Sequence, residues 1–579
     1  MYSNANNTAY SARFAPYIIA AAALAVYGFT LHYSFHLDDM PHIVDNPAIK
    51  HLSNPAAYLG YFPSRAAVFA TFALNYALDG MNATGYHIFN IFLHIACGIL
   101  AWLFAKELLK GTDIPEETAL FAALYFTLHP LQTEAVTYIY QRLASMAALF
   151  YIGSAYFYLR SGREGSTSLY AVSLVFAAAG YFSKENALTL PATLLALEFF
   201  IIGGDKKSAV RRTAPYAVLW LPAIFALRHS ATFVDIDKLK GPAPDITPLQ
   251  YMAAQPGVIL QYLRMSALPY GQCLLHAITP PSICSAGFLL PLTALVALIS
   301  ALAWYMRTNK VALFCLAWFC ITLSVESGLV PLQDLMFEHR MYLPMFGLAL
   351  LFAAIAWKIC SALPERFLTG LHILLLCALG VISMARNRVW ADEYTLWGDV
   401  VKKSPAIPGA YNNLGAAYLS DRRYEEAAAL FEKSAAINPA FGDAWANLGY
   451  ALYHMGRKAE ALKALNTALP AADDKDSVLS NIGNIYFADG NAAMALDCYM
   501  KALRINPRSS AALSNTAMVF ASRGDDKTAQ AYYRKALNAD PDFYPALKGL
   551  AGLYYRAGSI DAADRLMLRA KTVHPGAGQ

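Results

Sequence analysis

Charge is what this chain most lacks. Asp, Glu, Lys and Arg together make up 15% of its 579 residues, against 57% hydrophobic residues. Mean hydropathy is +0.36. That composition is far from a soluble enzyme. Forty-five basic residues against 40 acidic ones leave a net charge of +5, small for this length, which argues against nucleic acid as the main partner. Cysteine is sparse too: eight residues, scattered, with no CxxC pair. Cys97, Cys315, Cys320 and Cys377 lie in apolar segments and Cys498 in a helical repeat, where a small buried hydrophobe is the usual role. Cys273 and Cys284 share a loop and could form a disulfide in an oxidising compartment. A cleavable leader is not evident either. The first apolar run, Ala15 to Tyr33, is longer than an h-region, follows a single basic residue (Arg13) and ends on aromatic residues. It reads as a retained span.

What is present is a run of apolar windows, then a change of character. Windows recur near 87–105, 118–129, 143–159, 168–183, 187–202, 214–228, 286–306, 311–325, 341–357 and 367–385, giving about eleven spans with the first. From about Lys402 the chain is alanine-rich, polar and periodic. The fold class expected is all-α, with a polytopic membrane domain over 1–395 and a soluble domain over 400–579. Alternate loops carry Lys106 and Lys110, Arg160 and Arg163, Lys206 to Arg212, Arg307 and Lys310, then Lys358 and Arg366. The positive-inside rule puts those loops, and the N-terminus, in the cytoplasm.

The opposite side then holds most of the unusual polar chemistry. The first outside loop, 34–85, contains the acid pair Asp38-Asp39, then Asp45-Asn46-Pro47 and Arg65. Later loops on that side bring His129-Pro130, Glu134, Arg142, Lys184-Glu185-Asn186 and Glu338-His339-Arg340. Charges at membrane level are costly and face a cavity or each other. Acids and bases gathered on one face suit an anionic headgroup held against a carboxylate that acts as a base. Taken singly, each is explained as well by interfacial anchoring. Ala66 to Leu78 is too short to span and reads as a helix lying at the interface. The apolar parts of 249–275 read the same way.

The C-terminal part repeats every 34 residues. Pro439, Pro507, Pro541 and Pro575 keep this spacing, with Asp473 at the position where one proline is missing. Packing positions recur with it, from Tyr411, Leu414, Gly415, Tyr418, Ala427 and Phe431 through five units. Small residues let paired helices approach and large ones fill the space between them. This is the tetratricopeptide (TPR) pattern, and five units suffice for a superhelix with a concave groove. Asn412, Asn447, Asn481 and Asn515 recur near the groove-lining helix and suit binding of a peptide backbone. Solubility explains them equally well.

The segments HLDDMPHIVDNP, SRAAVFATFALNYALDGMNATGYHIFNIFLH, HPLQTEAVTYIYQR, SKENALTLPA and FEHRMYLP, in that order, resemble the transmembrane and tetratricopeptide-repeat-containing proteins. These are similar in turn to protein O-mannosyltransferases of the GT-C fold, and the short loops suggest a bacterial member. The resemblance implies an inverting transferase. Its donor is a sugar linked to polyprenyl or dolichyl phosphate, and its acceptor a Ser or Thr hydroxyl of a protein held by the TPR groove. It places the chain in a bacterial inner membrane, or otherwise the ER, with the TPR domain periplasmic or lumenal. It also implies Asp38 as base with Asp39 as partner, and Arg65, Arg142, Lys184, His339 and Arg340 as candidates for the donor phosphate. Glu134, Glu185 and Glu338 would support them. Arg65 departs from the family pattern, being followed by Ala66-Ala67 where Pro-Leu is expected. No cofactor is implied. Two acids could hold a divalent metal, but no His-rich ligand set accompanies them. A lipid or glycan acceptor is one alternative, and a non-catalytic membrane scaffold for secretion or pilus assembly another.

Overall fold

The structure is a computed structural model that describes residues 2–229, 246–328, 332, 334–360 and 364–573. Among these residues there are helices, turns and loops but no strand. The chain forms two compact units, Met1–Ser404 and Pro405–Gln579.

In the first unit each apolar window is helical. Five stretches are long and apolar enough to cross a membrane: Arg13–His32, Ala83–Leu109, Glu185–Ile202, Ala286–Tyr305 and Arg366–Trp390. Four shorter apolar helices accompany them, Glu117–Leu128, Thr167–Tyr181, Lys310–Leu323 and Pro344–Ile359. The window near 214–228 is broken. Pro215 lies inside Lys206–Val218, and a second helix, Trp220–Arg228, follows Leu219. Part of the long loop read between 230 and 284 lies outside the described residues. The helix Pro248–Ala267 within it buries Tyr251, Tyr262 and Met265 fully. Ala66–Asp79 is also a helix, and it turns Val68, Phe69, Phe72 and Ala73 into the core. Cys273 and Cys284 are free thiols, one buried and one exposed, so the disulfide is not formed. The Cys273 sulfur instead accepts from the Ser404 hydroxyl at 3.9 Å.

Local side chains fix the outside loops. Asn46 accepts from the Ala48 N–H at 2.9 Å and donates to the His42 carbonyl at 3.0 Å, closing the turn before Pro47. His129 accepts the Leu131 N–H on Nδ1 at 3.2 Å and donates from Nε2 to the Ser266 carbonyl at 3.1 Å, which pins the start of the His129–Arg142 loop.

The second unit is five helix pairs, running from Pro408–Ser420 with Tyr424–Ile437 to Tyr544–Arg556 with Ile560–Val573. Ala427, Ala461, Ala495, Ala529 and Ala563 are all fully buried. A Cβ on Gly415, Gly449 or Gly483 would come within 2.7, 2.6 or 2.5 Å of Phe431, Leu465 or Tyr499, so the small positions set how closely paired helices approach. Pro575 lies outside the described residues.

Candidate functional site

The two adjacent acids have different environments. Asp39 is 1% exposed. Its carboxylate accepts the His36 N–H at 2.9 Å and the Tyr140 N–H at 2.7 Å. It therefore ties the first loop to the His129–Arg142 loop. Burial pushes its pKa up to about 7, against the pull of those two amides. Asp38 is exposed, and its N–H donates to the Tyr138 hydroxyl at 2.9 Å. Between His36 and Asp38, Leu37 adopts a left-handed backbone with φ 52°. A leucine there is strained, and such strain persists only where surrounding structure imposes it. The two neighbouring acids thus differ in burial, Asp39 held inward on two backbone amides and Asp38 exposed. Among the described residues no group of three or more His, Cys, Asp or Glu could hold a metal.

The Asp38 charge acts on Tyr138, Tyr140, Asp334 and His339. With Asp38 these residues share one electrostatic neighbourhood although they are far apart in sequence. Arg65 grips Glu185 through Nε at 3.1 Å and Nη2 at 3.3 Å, and donates to the Tyr140 hydroxyl at 3.2 Å. Lys184 is ion-paired with Glu326. Arg340 differs from both: it donates to the Tyr251 hydroxyl at 3.2 Å and to the carbonyls of Leu335 and Asp334 at 3.3 and 2.8 Å. All three acceptors are neutral, and the nearby carboxylates of Glu326 and Asp334 act on its charge.

His339 is held by Glu134, whose Oε1 lies 2.6 Å from Nδ1 and whose Oε2 accepts the His339 N–H at 3.1 Å. Burial and the nearby Glu338 charge push Glu134 up to about 8. Burial holds His339 well below the ordinary histidine range. Burial thus disfavours charge on both partners, which share one short hydrogen bond.

Two further expected site residues are engaged in contacts within the fold. Arg142 is fully buried, and its guanidinium donates to Asn90 at 2.7 Å, Thr71 at 3.0 Å, Asn75 at 2.7 Å and the Tyr86 carbonyl at 3.1 Å. It also lies over the Phe72 and Phe89 rings. These bonds brace the start of the helix Arg142–Glu164 against the helices Ala66–Asp79 and Ala83–Leu109. Glu338, also fully buried, accepts the Cys273 N–H at 2.6 Å and Gln272 Nε2 at 3.2 Å, anchoring the loop that follows the helix Pro248–Ala267. Sequence reading passed over Tyr138, Tyr140, Tyr251 and Glu326. Only Glu326 left a signal, as an acid at the end of an apolar run.

In the repeat unit, Asn412, Asn447 and Asn481 line a groove of about 670 Å³, and Asn481 and Asn515 line an adjoining one of about 440 Å³. Asn447 donates to Asn412 at 3.0 Å and Asn515 to Asn484 at 2.9 Å, so part of the amide capacity is internal. Arg422, Tyr424, Asp443 and Asp473 complete the first wall.

These features define an all-α membrane protein that carries a tetratricopeptide domain. Family profiles described as Tetratricopeptide repeat match residues 395–440, 418–481 and 474–542. Among curated proteins the chain is similar to Protein O-mannosyl-transferase TMTC3 of Homo sapiens, 23% identical over 72% of this chain and 50% of that one. It is also similar to Protein O-mannosyl-transferase Tmtc3 of Drosophila melanogaster, 22% identical over 63% of this chain and 47% of that one. The chain thus spans about half the length of the curated relatives it matches. Among solved structures, a thermophilic TPR protein of Thermus thermophilus is 24% identical, covering 29% of this chain and 93% of that one with a TM-score of 0.28.

Proposed function

We propose that this chain is a membrane protein O-mannosyltransferase. It moves a sugar from a polyprenyl- or dolichyl-phosphate carrier to Ser or Thr hydroxyls on the extracytoplasmic side, and the TPR groove recruits the acceptor. The supporting observation is the division of labour at Asp38-Asp39: a buried carboxylate anchors the loop while its neighbour stays exposed. In this reading the Asp38 carboxylate takes the hydroxyl proton as the acceptor oxygen attacks the anomeric carbon. The new C–O bond forms as the bond from that carbon to the phosphate oxygen breaks, and the lipid phosphate leaves with the electron pair. Arg340 receives the phosphate charge, while Lys184 and Arg65, each balanced by a glutamate, border the site. Attack opposite the leaving group inverts the anomeric centre. His339, neutral and held by Glu134, supplies a hydrogen bond.

The names of the curated relatives agree with this reading. The test is transfer of mannose from polyprenyl-phosphate mannose to a Ser/Thr peptide by the full chain in membranes. The reading expects transfer by the wild type and a loss of at least about a hundredfold in Arg340→Gln. Wild-type rates in that variant would exclude Arg340 from the phosphate.

A further inference from the structure

The loop that carries Asp38 is also gripped from the far end of the same unit. His36 is 3% exposed, and both its ring nitrogens face oxygen acceptors. Nδ1 lies 2.7 Å from Glu393 Oε1, and Nε2 lies 3.0 Å from the Trp390 carbonyl. Both ring nitrogens are thus engaged. Glu393 is itself steadied by Trp397, whose Nε1 donates to Oε2 at 2.5 Å. The Trp390 ring, fully buried, stacks on Tyr138 with centroids 5.3 Å apart and planes at 21°. Tyr138 in turn takes the Asp38 N–H on its hydroxyl. Two separate lines of contact therefore run from one short segment to the two ends of the His36–Asp38 kink. The backbone of His36 closes the set by donating to Asp39. The segment comprises the turn Arg388–Trp390 and the helix Glu393–Lys403, and it continues in sequence into the first repeat helix, Pro408–Ser420.

We propose that Trp390 and Glu393 form a positioning strap for the Asp38 loop: Glu393 acts through His36 and Trp390 through Tyr138, and together they hold Leu37 in its strained conformation so that Asp38 faces outward. Neither is a catalytic residue. This rests on the reading of Asp38 as the base. A leucine at positive φ relaxes toward ordinary backbone unless it is held from both sides. On relaxation the backbone leading into Asp38 would change direction, and the exposed carboxylate with it.

The test uses the full chain in nanodiscs, as wild type, Glu393→Gln, Trp390→Ala and Trp390→Phe. Hydrogen exchange is read at the His36 and Tyr140 amides, the two that Asp39 accepts. Transfer from polyprenyl-phosphate mannose to a Ser/Thr peptide is followed in parallel. The strap predicts exchange at least fivefold faster at both amides in Glu393→Gln and Trp390→Ala. Trp390→Phe, which keeps a stacking ring, should restore wild-type exchange. It further predicts that kcat falls about tenfold with KM unchanged, and that Glu393→Gln has no added effect on kcat in an Asp38→Asn background. Unchanged exchange in both Glu393→Gln and Trp390→Ala would overturn the strap, as would equal loss in Trp390→Phe and Trp390→Ala. Absence of transfer by the wild type would count against the proposed function alone, because the exchange data still decide the strap.

Discussion

Replacing Arg422 with glycine should stabilise the first repeat. Arg422 holds φ 60°, and the positions 34, 68, 102 and 136 residues on are Gly456, Gly490, Gly524 and Gly558, with φ 80°, 78°, 81° and 76°. The turn between the helices of each pair needs a left-handed residue, and four of the five units supply the residue that adopts it without strain. A non-glycine residue in that conformation costs about 1–2 kcal/mol. Glycine gives back about 0.5–1 kcal/mol through its more flexible unfolded chain. The net gain is about 0.5–1 kcal/mol, and little packing is lost because Arg422 is exposed. The turn is closed by the Arg422 and Arg423 amides, which donate to the Leu419 and Tyr418 carbonyls at 3.0 and 2.9 Å. In Arg422→Gly the Arg423 amide should therefore exchange roughly two- to fivefold more slowly in the full chain, the factor that such an energy corresponds to. Arg422→Ala keeps the Cβ and should show no slowing. Gly456→Ala should speed exchange at Arg457. Exchange in Arg422→Gly as fast as in the wild type would refute the reasoning. That a strained arginine stands here, on the wall of the groove, fits a side chain kept for what it meets.

Other perturbations separate scaffold from chemistry. Arg142→Met leaves four oxygen acceptors facing an apolar chain and should destabilise the first unit by about 3 kcal/mol or more, read as a lowered midpoint in detergent unfolding. Glu134 has a folded-state pKa of about 8, above its unfolded value, so its contribution is full below the unfolded value and is lost as pH rises through about 8. Wild-type unfolding temperature should therefore drop between pH 7 and 9, whereas Glu134→Gln, which keeps a donor to His339, should be nearly flat; parallel slopes would contradict the assignment. Asp39→Asn should loosen the loop and speed exchange at the Tyr140 amide, while Asp38→Asn should leave that exchange unchanged.

Much of the architecture is legible in the sequence because it repeats or alternates. Ala427 and its four equivalents sit 34 residues apart, and all are buried as a two-helix repeat requires. Apolar windows mark helices in the same way, though a window cannot show the break between Val218 and Trp220. The site is legible only in part. Charge and loop position bring Asp38, Lys184 and Arg340 to attention, but they cannot show which side chains surround each guanidinium, such as Asn90, Thr71 and Asn75 around Arg142. Arg142 and Arg340 look alike in sequence and differ in what surrounds them. The brace from Glu393 to His36 joins residues 357 positions apart, and no local pattern records such a contact.

In the proposed function Asp38 is the base of sugar transfer. The most direct measurement compares initial rates of mannose transfer from polyprenyl-phosphate mannose to a Ser/Thr peptide, for wild type and Asp38→Asn in the same membranes, with donor binding followed alongside. The account predicts a loss of about a hundred- to ten-thousandfold in rate with donor binding retained. An Asp38→Asn rate equal to that of the wild type would contradict it.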